Sequence, residues 1–142
     1  MNDISVKIIK SKDLRTFVKL WNQEYKILTS SGFKMTYEKA LAGFSSKMFS
    51  YIGLYKKNLL IGFMLLKENG KEIWIKHLLV DKNERKKGLG KMLIEKAINK
   101  KAKEIFTETI KGNKAAIKFF LENNFEILKD DIKNNQFIFK RK

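Results

Sequence analysis

The sequence contains no cysteine, no proline and a single histidine, His77. The absence of cysteine excludes a disulfide framework, a thiolate nucleophile and a cysteine metal site. A Ser-His-Asp triad would have to use His77, and a histidine-rich zinc site is excluded. We therefore expect no bound metal.

Arginine is also scarce, because only Arg15, Arg85 and Arg141 are found among the 31 basic residues of a chain with a formal net charge of +16. Such a charge suggests phosphate binding, and a basic nucleic-acid-binding protein is one reading of it. Arg is favoured for bidentate phosphate and base contacts, however, and the lysines are dispersed along the chain. A solvated lysine-rich surface therefore accounts better for the charge, and we expect no specific nucleic-acid partner.

Long apolar runs are missing, since no stretch approaches the roughly 20 residues of a membrane helix. The start of the sequence has Asp3 and Lys7 within its only apolar patch, which is unlike a signal peptide. We expect a cytoplasmic protein without membrane contact. Because no repeat, low-complexity tract or Pro/Gly/Ser linker interrupts the chain, we expect one domain over residues 1–142.

The first third of the chain predicts a strand and two helices. Ile4 to Ile9 is typical of a strand, and Ser11 and Thr36 are candidate caps of two helices. The apolar positions of the first helix are Leu14, Phe17, Val18, Trp21 and Tyr25. Those of the second are Ala40, Leu41, Phe44 and Met48. We expect the two helices to form one layer over a sheet.

The rest of the chain changes to strand periodicity and then alternates. Short polar connections predict hairpins among Phe49 to Tyr55, Leu59 to Lys67 and Lys71 to Val80. A helix follows, with Leu89, Met92, Leu93, Ala97 and Ile98 as its apolar positions. Next come a strand (Glu104 to Thr109), a helix (Asn113 to Glu122, with Ala115, Ala116, Phe119 and Phe120 inward) and two strands (Phe125 to Leu128 and Gln136 to Phe139). The order βααβββαβαββ predicts an α/β fold whose mixed sheet carries helices on both faces.

The most informative segment runs from Val80 to Lys91 and comprises a strand end, a basic turn and a helix start. A helix start presents free N–H groups and a positive dipole end, and Gly88 and Gly90 would let a phosphate approach the backbone. A Rossmann fingerprint would need a small residue at Leu93, and a Walker loop would need Ser or Thr at Met92. Neither motif is present, so the segment predicts a different pyrophosphate site.

Two motifs together resemble the GCN5-related N-acetyltransferase (GNAT) superfamily. Arg85-x-x-Gly88-x-Gly90 is similar to its acetyl-coenzyme A signature. Asn113-x-x-Ala116-x-x-Phe119-Phe120-x-x-x-Asn124-Phe125 is similar to its Asn-x-x-Ala-x-x-Phe-Tyr-x-x-x-Gly-Phe segment. The separation of the motifs and the element order agree with that family over nearly the whole chain.

The resemblance implies a GNAT-like acyl-CoA N-acyltransferase fold and a transfer of acetyl from acetyl-coenzyme A to a primary amine. The acceptor, a small molecule or a peptide, is not identified, and either a monomer or a homodimer is expected. The implied cofactor-binding residues are the strand residues Leu78, Leu79 and Val80, the turn residues Arg85, Lys86, Lys87, Gly88, Leu89, Gly90 and Lys91, and the later residues Asn113 and Phe120. Asn113 is also a candidate N-cap of its helix.

The chain departs from the family pattern at two positions. Phe120 replaces a tyrosine that can protonate the leaving thiolate, and Asn124 replaces a glycine. Asn tolerates left-handed backbone angles, so the second change is mild. A thiol has a pKa of about 8.5, so protonating the thiolate near neutral pH is worth only about 2 kcal/mol, and we expect activity without the tyrosine.

The general base is not defined by the sequence. Glu72, His77 and Glu108 are the polar candidates, and Tyr25, Tyr51 and Tyr55 remain open. For Glu72 a solvated strand start is the simpler explanation, and for His77 a half-buried structural imidazole is an equally simple one. A non-catalytic coenzyme A-binding module of the same fold is the alternative that Phe120 favours.

Overall fold

The computed structural model describes residues 3–29, 31–98 and 104–142. Its strands are β1 (Ile4–Ile8), β2 (Ser50–Lys56), β3 (Leu59–Asn69), β4 (Glu72–Val80), β5 (Glu104–Ile110), β6 (Phe125–Asp131) and β7 (Gln136–Arg141). They form one sheet in the order β1-β2-β3-β4-β5-β7-β6. The pair β4 and β5 is parallel and the other neighbouring pairs are antiparallel. The predicted mixed sheet is confirmed.

The helices are α1 (Leu14–Gln23), α2 (Tyr25–Leu28), α3 (Tyr37–Ser46), α4 (Leu89–Ile98) and α5 (Lys114–Glu122). The helices α1 and α4 each bury an apolar stripe, as the sequence periodicity predicts, whereas α3 and α5 each fully bury one residue. In α1 the buried residues are Leu14, Phe17, Leu20 and Trp21. None of the helices in the described ranges combines the length and apolar character that crossing a membrane requires.

Two apolar cores lie on opposite faces of the sheet. On one face Phe17 and Trp21 of α1 pack with Phe63 of β3. On the other face Leu93 of α4 and Phe120 of α5 belong to a larger core. The predicted arrangement of helices on both faces is therefore confirmed, and the ends of β4 and β5 lie between the two helix layers.

A β-bulge at Lys76 interrupts β4 just before the segment from Val80 to Lys91. Leu65 of β3 pairs with His77 and Leu66 pairs with Ile75, so Lys76 is the extra residue. The parallel pairing of β4 with β5 runs from Glu72 to Ile75 and ends there. Because a bulge increases local twist, the strands separate beyond this point. The half of β4 from Lys76 to Val80 has no partner strand on the β5 side among the described residues.

Several local predictions were wrong, and distant contacts explain the first of them. Ser11 does not cap α1 but begins a 3-10 turn, and the N-cap is Asp13, which makes no capping hydrogen bond. The Asp13 carboxylate instead accepts a hydrogen bond of 2.7 Å from the Tyr55 hydroxyl. A partner 42 residues away has replaced the local cap.

The other differences concern where α1 and α3 end and which way Ala115 faces. Glu24, with φ of −140°, ends α1, so Tyr25 starts the separate helix α2. Lys47 takes a left-handed conformation with φ of 57° and ends α3, which leaves Met48 outside the helix and exposed. Ala115 is exposed and not inward. Thr36 does cap α3, since its side chain accepts a hydrogen bond from the Lys39 N–H.

Candidate active site

A cleft of about 560 Å³ opens between the end of β4, the turn before α4 and one side of α5. Leu78, Leu79 and Val80 line one wall, and Asn113 and Phe120 line the opposite wall. The turn contributes Arg85, Lys86, Gly88, Leu89, Gly90 and Lys91. The structure thus brings the sequence-predicted cofactor residues together in one cleft, with the exception of Lys87, which is not part of its lining.

Glycine is required at Gly88 and at Gly90 for different structural reasons. Gly88 has φ of +75°, and a Cβ at this position would meet no atom within 4 Å, so its side-chain direction points into open space. A Cβ at Gly90 would lie 2.9 Å from the Phe119 ring. Gly90 therefore allows α5 to pack closely against the start of α4, whereas Gly88 keeps the floor of the cleft accessible.

Arg85 is engaged with the protein itself. Its Nε donates to the Val80 carbonyl at 2.8 Å, and one of its terminal nitrogens pairs with Glu24 at 2.6 Å. These contacts tie the end of β4 to the junction of α1 and α2. The side chain therefore shapes the turn as well as adding charge to it.

The remaining cations of the turn are Lys86, Lys87 and Lys91. Lys87 pairs with Glu84 at 2.9 Å, while Lys86 and Lys91 form no ion pair within the described part of the chain. Their charge adds to the free N–H groups and positive dipole end of α4, which begins at Leu89. The turn is therefore suited to an anion such as a pyrophosphate.

The wall formed by α5 confirms the two local readings made for it. The Asn113 side chain accepts a hydrogen bond of 3.2 Å from the Ala116 N–H and so caps α5. Asn124 has φ of +68°, the left-handed conformation that Asn tolerates. Phe120 is 4% exposed and packs against Phe125 and Phe139, with ring centroids 5.2 and 5.9 Å away. Its ring offers no proton donor to the cleft.

A second cavity, of about 30 Å³, lies where β4 and β5 separate. Its lining includes Ile27, Leu78, Asn113, Ala116 and Phe120, which also line the cleft. The small cavity therefore continues the cleft at the end remote from the basic turn. Its volume is on the scale of one water molecule or one methyl group.

An ion pair crosses the gap between the strands at this small cavity. Lys76, the bulged residue of β4, donates through Nζ to Oε1 of Glu108 on β5. The other carboxylate oxygen, Oε2, accepts from the Gln136 amide at 3.3 Å. The side chains of Lys76 and Glu108 are 27% and 24% exposed, so the pair is partly shielded from water. Glu108 is the predicted acidic residue that the structure places beside the cleft.

His77 also lines the small cavity, but its half-buried ring packs against Trp21, with ring centroids 4.8 Å apart. Burial is the main cause that lowers the pKa of His77 to about 4. A hydrogen bond with the Leu28 backbone raises this pKa, and the charge of Lys76 lowers it further. Its Nδ1 is buried and has no hydrogen-bond partner. The imidazole is therefore neutral near pH 7, where it would be a weak base.

The other base candidates lie outside both cavities. Glu72 accepts a hydrogen bond of 3.0 Å from the Trp74 indole at the opposite end of β4. Burial raises the pKa of Tyr51, and burial with the Asp13 contact raises the pKa of Tyr55 to about 12. Both tyrosines belong to the core beneath α1, and Tyr25 carries Lys34 above its ring at 5.8 Å. Among the predicted bases, Glu108 is best placed for chemistry in the cleft.

Sequence reasoning missed three features of the site. Gln136, which orients Glu108, comes from a strand end with no recognisable motif. Glu24 and Ile27 also line the cleft, and they were missed because α2 was not predicted. Phe119 was expected to face inward, but its contact with Gly90 could have been found only from the structure. Within residues 3–29, 31–98 and 104–142, no group of His, Cys, Asp or Glu side chains could hold a metal ion.

Residues 12–125 match the model of the acetyltransferase (GNAT) family. A search of curated proteins finds no significant match.

Solved structures share the fold at low sequence identity. The PaiA N-acetyltransferase from Thermoplasma acidophilum, solved in complex with coenzyme A, is 21% identical, with 98% of both chains covered and a TM-score of 0.79. An acetyltransferase from Thermus thermophilus is 16% identical, with 97% of this chain and 96% of that chain covered and a TM-score of 0.83. A ribosomal-protein-alanine N-acetyltransferase from Brucella melitensis is 14% identical, with 96% and 98% covered and a TM-score of 0.73.

Proposed function

Because the chain belongs to the acetyltransferase (GNAT) family, we propose that it binds acetyl-coenzyme A in the cleft and transfers the acetyl group to a primary amine. The observation that carries this proposal is the continuity of three parts: a basic turn, an unpaired strand edge and an acidic side chain at the far end. An elongated, anionic thioester fits such a cleft in one direction only, with its phosphates at the turn.

The turn would hold the pyrophosphate. The N–H groups at the start of α4 and the ammonium groups of Lys86 and Lys91 supply the positive potential, and Gly88 leaves room for the phosphate oxygens. Arg85 acts mainly by fixing the turn to Val80 and Glu24. A side chain introduced at Gly88 would therefore obstruct the phosphates of the cofactor directly.

The separated half of β4 would hold the pantetheine arm. From Lys76 to Val80 the β5-facing edge of the strand lacks strand pairing within the described residues, so its backbone groups can pair with the amides of the arm. One N–H of this edge can also polarise the thioester carbonyl as negative charge develops on its oxygen. Asn113 and Phe120 close the opposite side.

Glu108 would orient the attacking amine and take its proton. An alkylammonium of pKa near 10.4 must lose a proton before attack, which costs roughly 4 to 5 kcal/mol at neutral pH. Gln136 holds one oxygen of the Glu108 carboxylate, while the other faces Lys76 in the small cavity. An acceptor ammonium that displaces Lys76 would therefore find a positioned carboxylate.

Two observations favour a second candidate, a coenzyme A-binding module without turnover. Lys76 already occupies the Glu108 carboxylate, and Phe120 provides no proton donor for the leaving thiolate. A panel of primary amines, including small alkylamines and peptides with free amino groups, separates the two candidates by thiol release from acetyl-coenzyme A. Release that depends on an amine supports the enzyme. Tight coenzyme A binding without release from any amine supports the module.

A further inference from the structure

Lys76 is a primary amine held at the place where the proposed reaction needs one. Its ammonium contacts the carboxylate of Glu108, the same group that we assign to the acceptor amine. The bulge places Lys76 at the first position of β4 beyond the pairing with β5. The internal lysine thus stands in for an acceptor.

The surroundings of Lys76 set it apart from the other lysines. Among the described residues it is the one lysine in the lining of the small cavity, whereas Lys86 and Lys91 line the cleft at its basic end. Its ammonium lies 5.6 Å from the centroid of the Trp74 ring. The side chain is held on one side by an aromatic ring and on the other by a carboxylate.

We propose that Lys76 is a self-acetylation site, modified by acetyl-coenzyme A bound to the same chain when no external amine is present. The inference rests on the proposed function, because it uses the same cleft and the same acetyl donor.

The chemistry balances without any further reagent. The Lys76 ammonium gives one proton to the Glu108 carboxylate, and the freed electron pair attacks the thioester carbonyl carbon. The carbon–sulfur bond breaks, and the thiolate leaves as coenzyme A. The second proton lost from nitrogen neutralises the thiolate, and Glu108 returns its proton to water. The products are an amide at Nζ, free thiol and one released proton.

The modification also has a structural consequence. An acetylated Nζ carries no charge, so the ion pair with Glu108 is lost, and the carboxylate keeps Gln136 as its described polar partner. The Glu108 carboxylate then becomes available to an external ammonium. Because Lys76 is the one lysine that lines the small cavity among the described residues, self-acetylation is expected to stop after one acetyl group per chain.

The test is incubation of the purified full chain with acetyl-coenzyme A and no amine, followed by intact-mass measurement and peptide mapping. We expect one acetyl group at Lys76 and one equivalent of thiol, with a first-order rate that does not change with protein concentration. Lys111 provides an internal control, because it is also ion-paired, with Asp130, and its side chain is 30% exposed against 27% for Lys76. Its acetylation measures the uncatalysed background.

Three variants sharpen the result. Lys76→Arg keeps a cation for Glu108 but should lose the fast phase, which is the acetylation of Lys76 above the background rate of Lys111. Gly88→Asp should reduce acetylation of Lys76 to the rate seen at Lys111. Glu108→Gln should slow the fast phase about a hundredfold or more, the scale of a positioned base. Equal rates at Lys76 and Lys111 in wild type would overturn the proposal.

The outcomes also separate this inference from the proposed function. If external amines are acetylated while Lys76 stays unmodified, self-acetylation is refuted and the enzyme assignment stands. If coenzyme A does not bind at all, the proposed function is refuted, and self-acetylation from bound acetyl-coenzyme A is refuted with it. A Lys76 rate that rises in proportion to protein concentration would mean transfer between chains and would refute the intramolecular step.

Discussion

Substitution of Gly88 by aspartate tests the proposed cofactor site, and the structure supplies a matched control at a second glycine. Gly88 has φ of +75°, and Gly70, in the turn between β3 and β4, has φ of +62°. A Cβ at either position would meet no atom within 4 Å. Gly88→Asp and Gly70→Asp therefore introduce the same charge and comparable backbone strain, of at most about 1 to 2 kcal/mol. Of these two glycines, Gly88 lines the cleft and Gly70 does not.

The expected difference between the two variants is large enough for a thermal-shift assay. Coenzyme A at a hundred times its dissociation constant stabilises the native state by about 2.7 kcal/mol. For a domain of this length that is a rise of roughly 10 °C in Tm. Wild type and Gly70→Asp should show this rise, and Gly88→Asp should show none, because its carboxylate would occupy the pyrophosphate position. A full shift in Gly88→Asp, or no shift in wild type, would refute the reasoning about the turn.

Three further outcomes follow from the site and the charge. The pKa of His77 is lowered to about 4 from 6.5, so the stability present above pH 6.5 should fall by up to about 3 kcal/mol as the pH drops towards 4. Urea unfolding at pH 7 and pH 4.5 should show a smaller loss in His77→Gln, and an equal loss would contradict the assignment. Phe120→Tyr should raise the acetyl-transfer rate by at most roughly thirtyfold, since thiolate protonation is worth about 2 kcal/mol, and a larger gain in turnover would show that protonation limits the reaction. Because the lysines are dispersed, any DNA or RNA binding should be weak, insensitive to sequence and steeply weakened by added salt in a filter-binding titration, and tight sequence-selective binding at physiological salt would reverse this expectation.

Local patterns were sufficient to predict the strands and the helix starts on the two sides of the cleft. The aromatic and aliphatic runs after Phe49 have the composition of strands, and short polar turns between them admit hairpins. Asn113 was recognisable as a cap because the N–H that donates a hydrogen bond to its side chain belongs to Ala116, three residues further on. Such features depend on neighbours in the sequence, so a single sequence is enough to find them.

Features that depend on distant partners could not be predicted in this way. The bulge at Lys76 appears only when β4 is paired with β3, and it determines where β4 leaves β5. Glu108 lies 32 residues from Lys76, and Tyr55 lies 42 residues from the Asp13 carboxylate that it diverts from capping. For this reason the sequence left three carboxylate and imidazole candidates open, and the fold was needed to distinguish their surroundings.

The rate of acetyl transfer in Glu108→Gln tests the central claim most directly. The measurement is kcat/KM for the best acceptor of the amine panel, compared with wild type across the pH range, with coenzyme A binding followed in parallel by thermal shift. If Glu108 orients the amine and accepts its proton, Glu108→Gln should lose a hundredfold to ten-thousandfold in rate while keeping the full coenzyme A-induced rise in Tm. A variant that binds coenzyme A normally and retains the wild-type rate and pH profile would contradict the assignment of Glu108.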